Sequence, residues 1–259
     1  MVRAPEAGPP GARIIATPQL QLARHVVTDI TAHQAVGVIH GNAGLGKTFA
    51  VRTCAQALAA GTGRLEAPSV CTVSFSPQPT LRQIVDALLL ALTGSHGSSK
   101  SRFHLTRELI AELARIPRLI VVDEAQRLTG HGIELLRHLH DDPDTRFGLL
   151  YVGGHGCWEV LSREPMLASR IWRRLAITPL QRDIVPEAIR GYHPIYQAAD
   201  DELLHYIDDR FAHGIWRNWA SFSSTAHLLA QRTGRSAIDE EIVTNAFALH
   251  GGGPDIARR

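Results

Sequence analysis

The sequence has few cysteines, little net charge and no long apolar run, and each shortage excludes a class of protein. Its three cysteines, Cys54, Cys71 and Cys157, lie far apart without the spacing of metal ligands. This spacing argues against a disulfide framework and favours reduced thiols in a cytosolic protein. The formal net charge is only +2, so any contact with nucleic acid must come from local clusters of basic residues.

No contact with a membrane is expected. The longest apolar run, ALLLAL at 87–92, is far too short to span a bilayer. The opening residues, MVRAPEAGPPGA, carry prolines and glycines where a signal peptide needs an apolar stretch. We therefore expect a cytoplasmic protein with flexible tails at residues 1–12 and 251–259.

The pattern of apolar residues predicts a parallel β-sheet. Five short β-prone runs without alternation lie at 35–40, 69–75, 118–123, 147–153 and 175–180. Such runs are typical of strands buried on both faces, and helical patterns separate them. The clearest helix is at 81–92, with Thr80 as its N-cap and Gly94 at its end. The sequence therefore predicts an α/β fold, with helices on both faces of a five-stranded parallel sheet.

After residue 180 the strand pattern stops and only helical patterns remain. The segments DDELLHYIDDRF at 200–211 and AIDEEIVTNAFALHG at 237–251 each place their apolar residues on one helix face. We therefore predict an α/β domain over residues 13–182, followed by a small all-α domain over residues 183–250.

A glycine-rich segment directly after the first apolar run predicts a phosphate-binding loop. Residues 41–48, GNAGLGKT, match the pattern GxxxxGK[ST] of the P-loop, or Walker A motif. Its glycines let backbone N–H groups surround phosphates, Lys47 reaches the outer phosphates, and Thr48 ligates Mg²⁺. The predicted ATP-binding residues are Gly41, Asn42, Ala43, Gly44, Leu45, Gly46, Lys47, Thr48 and Phe49.

The third apolar run supplies the second half of this chemistry, a Walker B motif. In LIVVDEAQRL at 119–128, Asp123 stands at the carboxyl end of the strand, where open α/β sheets bind ligands. Asp123 is predicted to bind Mg²⁺, directly or through water. Glu124 is predicted to orient and deprotonate the attacking water. The pair of motifs predicts an ATP hydrolase.

The order and residue types of these motifs resemble the AAA+ ATPases, and the resemblance covers almost the whole chain. It is strongest to the transposition-regulator branch, the MuB/TniB/TnsC type. The segments that carry it are DEAQRL (123–128), IELLRHLHDDPDTRFGLLYVGG (133–154), MLASRIWRRLAITPL (166–180) and the entry segment RIIATPQLQLARHVV (13–27). The resemblance implies a P-loop NTPase fold of AAA+ type in which the all-α domain is a lid.

The same resemblance implies a homo-oligomer, a ring or filament, in the ATP state. An arginine near the fifth strand would then enter the ATP site of the neighbouring subunit, and it maps to Arg170, with Arg173 and Arg174 as alternatives. An arginine of the lid that senses the nucleotide maps to Arg217.

One feature departs from the family pattern. The fourth strand usually ends in a polar residue that senses the γ-phosphate, whereas here it ends VGGHG, with Gly153, Gly154 and His155. Three explanations are open. His155 replaces the sensing side chain, a backbone group replaces it, or the protein hydrolyses ATP slowly.

The resemblance implies an ATP-dependent, oligomerising ATPase that binds double-stranded DNA and regulates transposition, by selecting targets or recruiting a transposase or integrase. The alternative is a DNA-independent nucleotide switch or signalling ATPase that acts on a protein partner. A small-molecule kinase is disfavoured because Glu124 would activate water, which a kinase must exclude.

The predicted DNA contact is the segment GSHGSSKSRFHLTREL at 94–109, between the second and third strands. Its two cations, Lys100 and Arg102, precede the start of a helix that can offer N–H groups to phosphate. Residues 1–12 are too short to form the separate DNA-binding domain of some members of this branch. We therefore expect the ATPase domain itself to contact DNA, with charges repeated around the oligomer.

Overall fold

The computed structural model describes residues 8–61, 69–97 and 101–251, and its centre is a sheet of five parallel strands. The strands are β1 (Val36–His40), β2 (Ser69–Ser74), β3 (Arg118–Asp123), β4 (Phe147–Gly153) and β5 (Ile171–Ala176). Their order across the sheet is β2-β3-β4-β1-β5. The carboxyl ends of β1, β3 and β4 therefore lie side by side at one edge of the sheet. The predicted fold class is confirmed.

Helices connect the strands and continue after the last one. In chain order they are α1 (Pro18–Ala32), α2 (Lys47–Gly61), α3 (Leu81–Thr93), α4 (Arg102–Arg115), α5 (Gly130–Asp141), α6 (Cys157–Ser162), α7 (Pro165–Ala168), α8 (Val185–Tyr192), α9 (Asp201–Ile207), α10 (Trp216–Thr233) and α11 (Glu240–Leu249). Short 3₁₀ turns lie at Ala125–Arg127 and Pro194–Tyr196, and a π-helical turn lies at Asp208–Ala212. In the described part of the chain, none of these helices is long and apolar enough to cross a membrane.

The main hydrophobic core lies on one face of the sheet. There the buried side chains of β1 to β4 pack against α3 to α7. The opposite face is covered by α1 and α2. At this face Gly37 of β1 is so close to α1 that a Cβ atom would lie 2.8 Å from Ile30 Cγ1. The three central strands are thus buried on both faces, which is why their sequences are apolar without alternation.

The predicted helix at 81–92 is confirmed together with its capping residues. The Thr80 hydroxyl accepts a hydrogen bond from the Gln83 backbone N–H, and the Gln83 side chain accepts one from the Thr80 backbone N–H. Gly94 ends α3 in the left-handed conformation, with φ of +77°. This reciprocal pair satisfies two backbone donors at the start of the helix that would otherwise be unpaired.

The fifth predicted strand was placed wrongly. We predicted a strand at 175–180, whereas β5 spans Ile171–Ala176. Because β5 is an edge strand, its residues alternate between half-buried and exposed, and they include Trp172, Arg173 and Arg174. Such a strand has no continuous apolar run. The apolar pattern therefore predicted the strand at 175–180, which overlaps only the end of β5.

The chain forms two compact units. Among the described residues, one unit comprises 8–20, 44–46 and 178–251, and the other comprises 21–43, 47–61, 69–97 and 101–177. The predicted domain limits at 12/13 and 182/183 stay predictions. In the first unit, the Pro10 carbonyl oxygen accepts a hydrogen bond from His193 Nε2 at 2.9 Å, because His193 Nδ1 accepts the Ile195 N–H.

The core of the helical part depends on one buried carboxylate. Asp208 begins the π-helical turn and is 6% exposed. Its Oδ1 atom accepts hydrogen bonds from the Trp219 indole Nε1–H at 2.9 Å and from the Gly214 N–H at 2.7 Å. Trp219 is itself fully buried. Asp208 therefore fixes the turn that leads into α10.

We predict that Asp208→Ala lowers the free energy of unfolding by about 3 kcal/mol, because two buried donors, at Trp219 and Gly214, would lose their acceptor. Chemical denaturation measures this change. Asp209→Ala is the matched control, since Asp209 is exposed and forms an ion pair with exposed Arg182. That control should cost less than about 1 kcal/mol. Equal losses in the two variants would contradict the role given to Asp208.

Candidate nucleotide-binding site

The phosphate loop starts where β1 ends and stops where α2 begins. Its first residue, Gly41, has φ of +148°, and a Cβ atom there would lie 2.2 Å from the carbonyl oxygen of Ile177. No residue with a side chain fits this position, since the obstacle is backbone. The loop thus turns away from the sheet directly at the carboxyl end of β1.

The middle of the loop is equally restricted. Gly44 has φ of +83°, and a Cβ atom there would lie 2.8 Å from Ile215 Cγ2 and 3.1 Å from Arg217 Cβ. The Gly44 carbonyl oxygen accepts a hydrogen bond from the backbone N–H of Arg217 at 3.0 Å. The structure therefore places the predicted lid arginine against Gly44. Its role as a sensor of the nucleotide stays a prediction.

Lys47 is the first residue of α2 and is buried. Its Nζ atom donates a hydrogen bond to the carbonyl oxygen of Asn42 at 2.7 Å, so the ammonium group lies inside the loop. Asn42 and Ala43 are exposed, Leu45 is buried and Phe49 is half-buried. A buried ammonium beside a glycine-rich loop is the donor that a polyphosphate requires.

Thr48 and Asp123 come together although they are far apart in the sequence. Thr48 Oγ1 donates a hydrogen bond to Asp123 Oδ2 at 3.0 Å, and Asp123 Oδ1 accepts the backbone N–H of Glu124 at 2.9 Å. The first contact joins the start of α2 to the carboxyl end of β3. A hydroxyl and a carboxylate are the hard oxygen ligands that Mg²⁺ prefers, so these residues fit a Mg²⁺–nucleotide complex.

Glu124 follows Asp123 in an unusual backbone conformation. Its φ of +57° and ψ of +40° lie in the left-handed region, which few residues other than glycine adopt. Its carboxylate is partly exposed and has two neighbours, the side chains of Gln126 and Arg127. Strained backbone of this kind is concentrated at functional sites, which agrees with the catalytic role predicted for Glu124.

His155, one of the open candidates for the polar sensor, directly follows the glycines at the end of β4, and its role stays a prediction. His155 is exposed, and the Gly154 N–H donates a hydrogen bond to the Gln126 side chain at 2.9 Å. Sequence reasoning missed Gln126. The residue lies inside the DEAQ motif, but its partner Gly154, which directly follows β4, is distant in sequence. Only the position of Gln126 two residues after Glu124 could have drawn attention to it.

The three candidate arginines all have partners within the chain. Arg170 donates hydrogen bonds to Asp141 Oδ1 at 3.1 Å and to the Met166 carbonyl oxygen at 2.8 Å. Arg173 pairs with Asp29 and lies over the Trp172 ring. The contacts do not bring Arg170 or Arg173 to the phosphate loop. Their roles stay predictions.

Arg174, unlike Arg170 and Arg173, contacts the last residue of β1, which directly precedes the phosphate loop. Its guanidinium stacks 4.0 Å over the Trp158 ring, and its Nε–H donates to His40 Nε2 at 3.1 Å. Burial, and then the charge of Arg174, lower the pKa of His40. The lowered pKa favours the neutral form of His40, which is the last residue of β1 and directly precedes the phosphate loop.

Comparison with known proteins shows which family the sequence belongs to. The profile of the family described as AAA domain matches residues 30–161, just over half of the chain. The chain belongs to this AAA family. It is also similar to the ATP-dependent target DNA activator B of Escherichia phage Mu, with 27% identity over 181 residues, which cover 67% of this chain and 54% of the relative. The chain thus spans about half the length of that relative.

Solved structures share the fold. The Aeropyrum pernix ORC2 protein, solved as ADPNP–ADP complexes, has a TM-score of 0.69 and 17% identity, over 95% of this chain and 70% of that one. The ORC1 protein of the same organism, in complex with DNA, has a TM-score of 0.62 and 16% identity, over 91% of this chain and 66% of that one. The AAA family match confirms the prediction of an ATP hydrolase, and the similarity to the phage protein confirms the resemblance. The solved structures confirm the fold.

We predict that Lys47→Ala weakens ATP binding about 10- to 100-fold, because it removes a charged hydrogen-bond donor from the phosphate loop. Glu124→Gln should still bind ATP, but its kcat should fall about 10²- to 10⁴-fold, since an amide cannot accept the proton of water. Nucleotide titration and steady-state turnover measure the two effects.

Glu187→Gln, an exposed change in α8, is the control for both measurements. Unchanged ATP affinity in Lys47→Ala would contradict the assignment of the phosphate loop. Unchanged turnover in Glu124→Gln would contradict the assignment of the base.

Proposed function

We propose that this AAA ATPase is an ATP-dependent, oligomerising DNA-binding protein that regulates transposition, by selecting target DNA or recruiting a transposase or integrase. The observation that carries the proposal is the similarity, over two thirds of this chain, to the phage Mu protein named ATP-dependent target DNA activator B. The DNA complex of the similarly folded ORC1 protein adds support for DNA as the partner. The AAA family match and the paired Thr48 and Asp123 supply the ATP-dependent half.

The residues at the sheet edge divide the work on the nucleotide. The loop glycines and Lys47 hold the phosphates, Thr48 and Asp123 hold Mg²⁺, and Glu124 takes a proton from the attacking water. Mg²⁺, when bound, neutralises charge on the transferred phosphoryl group. The site therefore binds and hydrolyses ATP with its own residues, except for one positive charge that a neighbouring subunit supplies.

That charge comes from Arg170 of an adjacent subunit. Within its own chain Arg170 is held by Asp141, in an ion pair whose side chains are each about one third exposed. Ion pairs this exposed contribute about 1 kcal/mol or less. Release of Arg170 from Asp141 is therefore cheap compared with the charge stabilisation that an arginine provides at a phosphoryl transfer site.

DNA is contacted at the start of α4. Arg102 is the first residue of this helix and is exposed, with its guanidinium 4.9 Å from the centroid of the Phe103 ring. The first turn contains no acidic residue, so the positive end of the helix dipole is not opposed there. Lys100, the other predicted contact, lies outside the described residues. Repeated around an oligomer, these charges form a continuous path for the phosphate backbone.

The segment that leads to α4 is attached to α3 by a carboxylate. Asp86 Oδ2 lies 2.8 Å from His96 Nδ1, and Asp86 Oδ1 accepts the Gly97 N–H at 3.1 Å. The hydrogen bond with His96, followed by that from Gly97, lowers the pKa of Asp86. A carboxylate whose pKa is lowered on folding stabilises this arrangement above its unfolded pKa, and the contribution is lost as the pH falls through the folded pKa.

We predict that duplex DNA binds more tightly when a non-hydrolysable ATP analogue is present, and that affinity falls steeply with salt through counterion release. Affinity should differ little between duplex sequences, because phosphate contacts carry no sequence information. The variants Arg102→Ala and Lys100→Ala/Arg102→Ala should weaken binding and reduce the salt dependence. Fluorescence anisotropy across a salt series measures all of these quantities.

The matched control is Arg115→Ala, which removes an exposed arginine from the other end of α4, where it pairs with Glu112. If the double variant binds like the wild type with the same salt slope, the start of α4 is not the contact. If the wild type binds no DNA with any nucleotide, DNA binding is overturned and a nucleotide switch acting on a protein remains.

We also predict that Arg170→Ala lowers turnover by on the order of 10³- to 10⁵-fold, the usual contribution of an arginine finger. Mixing this inactive variant with inactive Glu124→Gln should restore turnover, because some interfaces regain both groups. Arg163→Ala, an exposed change near α7, should keep full activity. An inactive mixture of folded, assembled variants would show that Arg170 does not act in a neighbouring site.

A further inference from the structure

We propose that Gln126 is a positioning residue that holds the Glu124 carboxylate and connects it to the backbone at the end of β4. The inference rests on the proposed role of Glu124 as the base. It adds to that role a residue that connects the base to the neighbouring strand.

The amide group of Gln126 is fixed at both ends. Its Oε1 atom accepts the Gly154 N–H at 2.9 Å, and its Nε2 atom donates to Glu124 Oε2 at 2.5 Å. An N–H can meet only the oxygen of an amide, and a carboxylate can accept only from its nitrogen. The two partners therefore determine one orientation of the amide, and the side chain bridges Gly154, directly after β4, to Glu124.

The glycines at the end of β4 make room for this bridge. A Cβ atom at Gly153 would lie 2.5 Å from Gln126 Oε1 and 2.4 Å from Cys157 Sγ. A Cβ atom at Gly154 would lie 3.4 Å from Gln126 Nε2. The amide thus occupies the space next to the strand end that larger residues would fill. Gln126 thus lies beside the end of β4, where the sequence has glycines and no polar side chain.

The backbone brings Gln126 back toward the strand. Glu124 is left-handed, and the following turn at Ala125–Arg127 is closed by a hydrogen bond from the Arg127 N–H to the Glu124 carbonyl oxygen at 2.9 Å. The strained conformation of Glu124 is therefore explained by the bridge that it permits.

Arg127 does not provide the same restraint. Its Nη2 atom is 3.9 Å from Glu124 Oε2, while its Nη1 atom donates to the Phe75 carbonyl oxygen at 3.2 Å. The guanidinium is thus hydrogen-bonded to the residue that follows β2 and only approaches the carboxylate. Gln126 makes the shorter contact with Oε2 and leaves Oε1 of Glu124 as the oxygen that takes a proton from water.

The first test separates positioning from general stability. Gln126→Ala should lower kcat about 10- to 100-fold, the worth of one hydrogen bond to a charged group, with KM unchanged. In a Glu124→Gln background the same change should cost nothing further, because Gln126 acts through Glu124. Gln231→Ala, an exposed glutamine of α10, is the matched control.

A second measurement does not depend on turnover. Hydrogen exchange of the Gly154 amide, followed by NMR without nucleotide, should lose protection in Gln126→Ala and keep it in Glu124→Gln. The near-isosteric Gln126→Glu keeps an acceptor for the Gly154 N–H but removes the donor to Glu124. It should therefore keep the protection and lose kcat.

The outcomes distinguish this inference from the proposed function. If Glu124→Gln turns over ATP normally, the assignment of the base fails, and the positioning role fails with it. If Glu124→Gln is inactive while Gln126→Ala and Gln126→Glu are fully active, only the positioning role is overturned. Equal losses from Gln126→Ala in the wild-type and Glu124→Gln backgrounds would also overturn it.

Discussion

The contact between the Thr48 hydroxyl and the Asp123 carboxylate is the interaction on which the rest of the site depends. It joins the first turn of α2 to the carboxyl end of β3, which lie 75 residues apart along the chain. A parallel sheet makes this contact possible because the carboxyl ends of its strands all lie at the same edge. The sheet alone therefore brings three features together: the phosphate loop at the end of β1, the acidic pair at the end of β3 and the glycines at the end of β4.

Backbone restrictions, more than side-chain packing, set the shape of this edge. Gly41 and Gly44 take conformations that other residues rarely adopt, and each is approached so closely that a Cβ atom would collide with its neighbour. Glu124 adopts a left-handed conformation although it has a side chain. A loop held in this way offers its N–H groups in a fixed arrangement, so little ordering is needed when a phosphate binds.

The arginines proposed to contact a neighbouring subunit or DNA lie outside this edge and are not buried. Arg170 is held by Asp141 in a partly exposed ion pair, and Arg102 is exposed at the start of α4. Neither is buried, and weak ion pairs on a surface are released at small cost. Groups that must leave one partner for another, such as a neighbouring subunit or a DNA phosphate, are suited to such positions. The buried Lys47 and the exposed arginines thus match the fixed and the exchangeable parts of the proposed function.

The sequence alone determined the local features of this protein: the phosphate loop, the acidic end of β3, the central strands and the capped helix α3. Each of these is encoded by neighbouring residues, since a buried strand is a continuous apolar run and a cap such as Thr80 acts within one turn. Only the tertiary structure decided where β5 lies, because an edge strand with Arg173 and Arg174 has no such run. The hydrogen bonds from Trp219 to Asp208 and from Gly154 to Gln126 were also visible only in the tertiary structure. The residues that they join are apart in the sequence and come together only on folding.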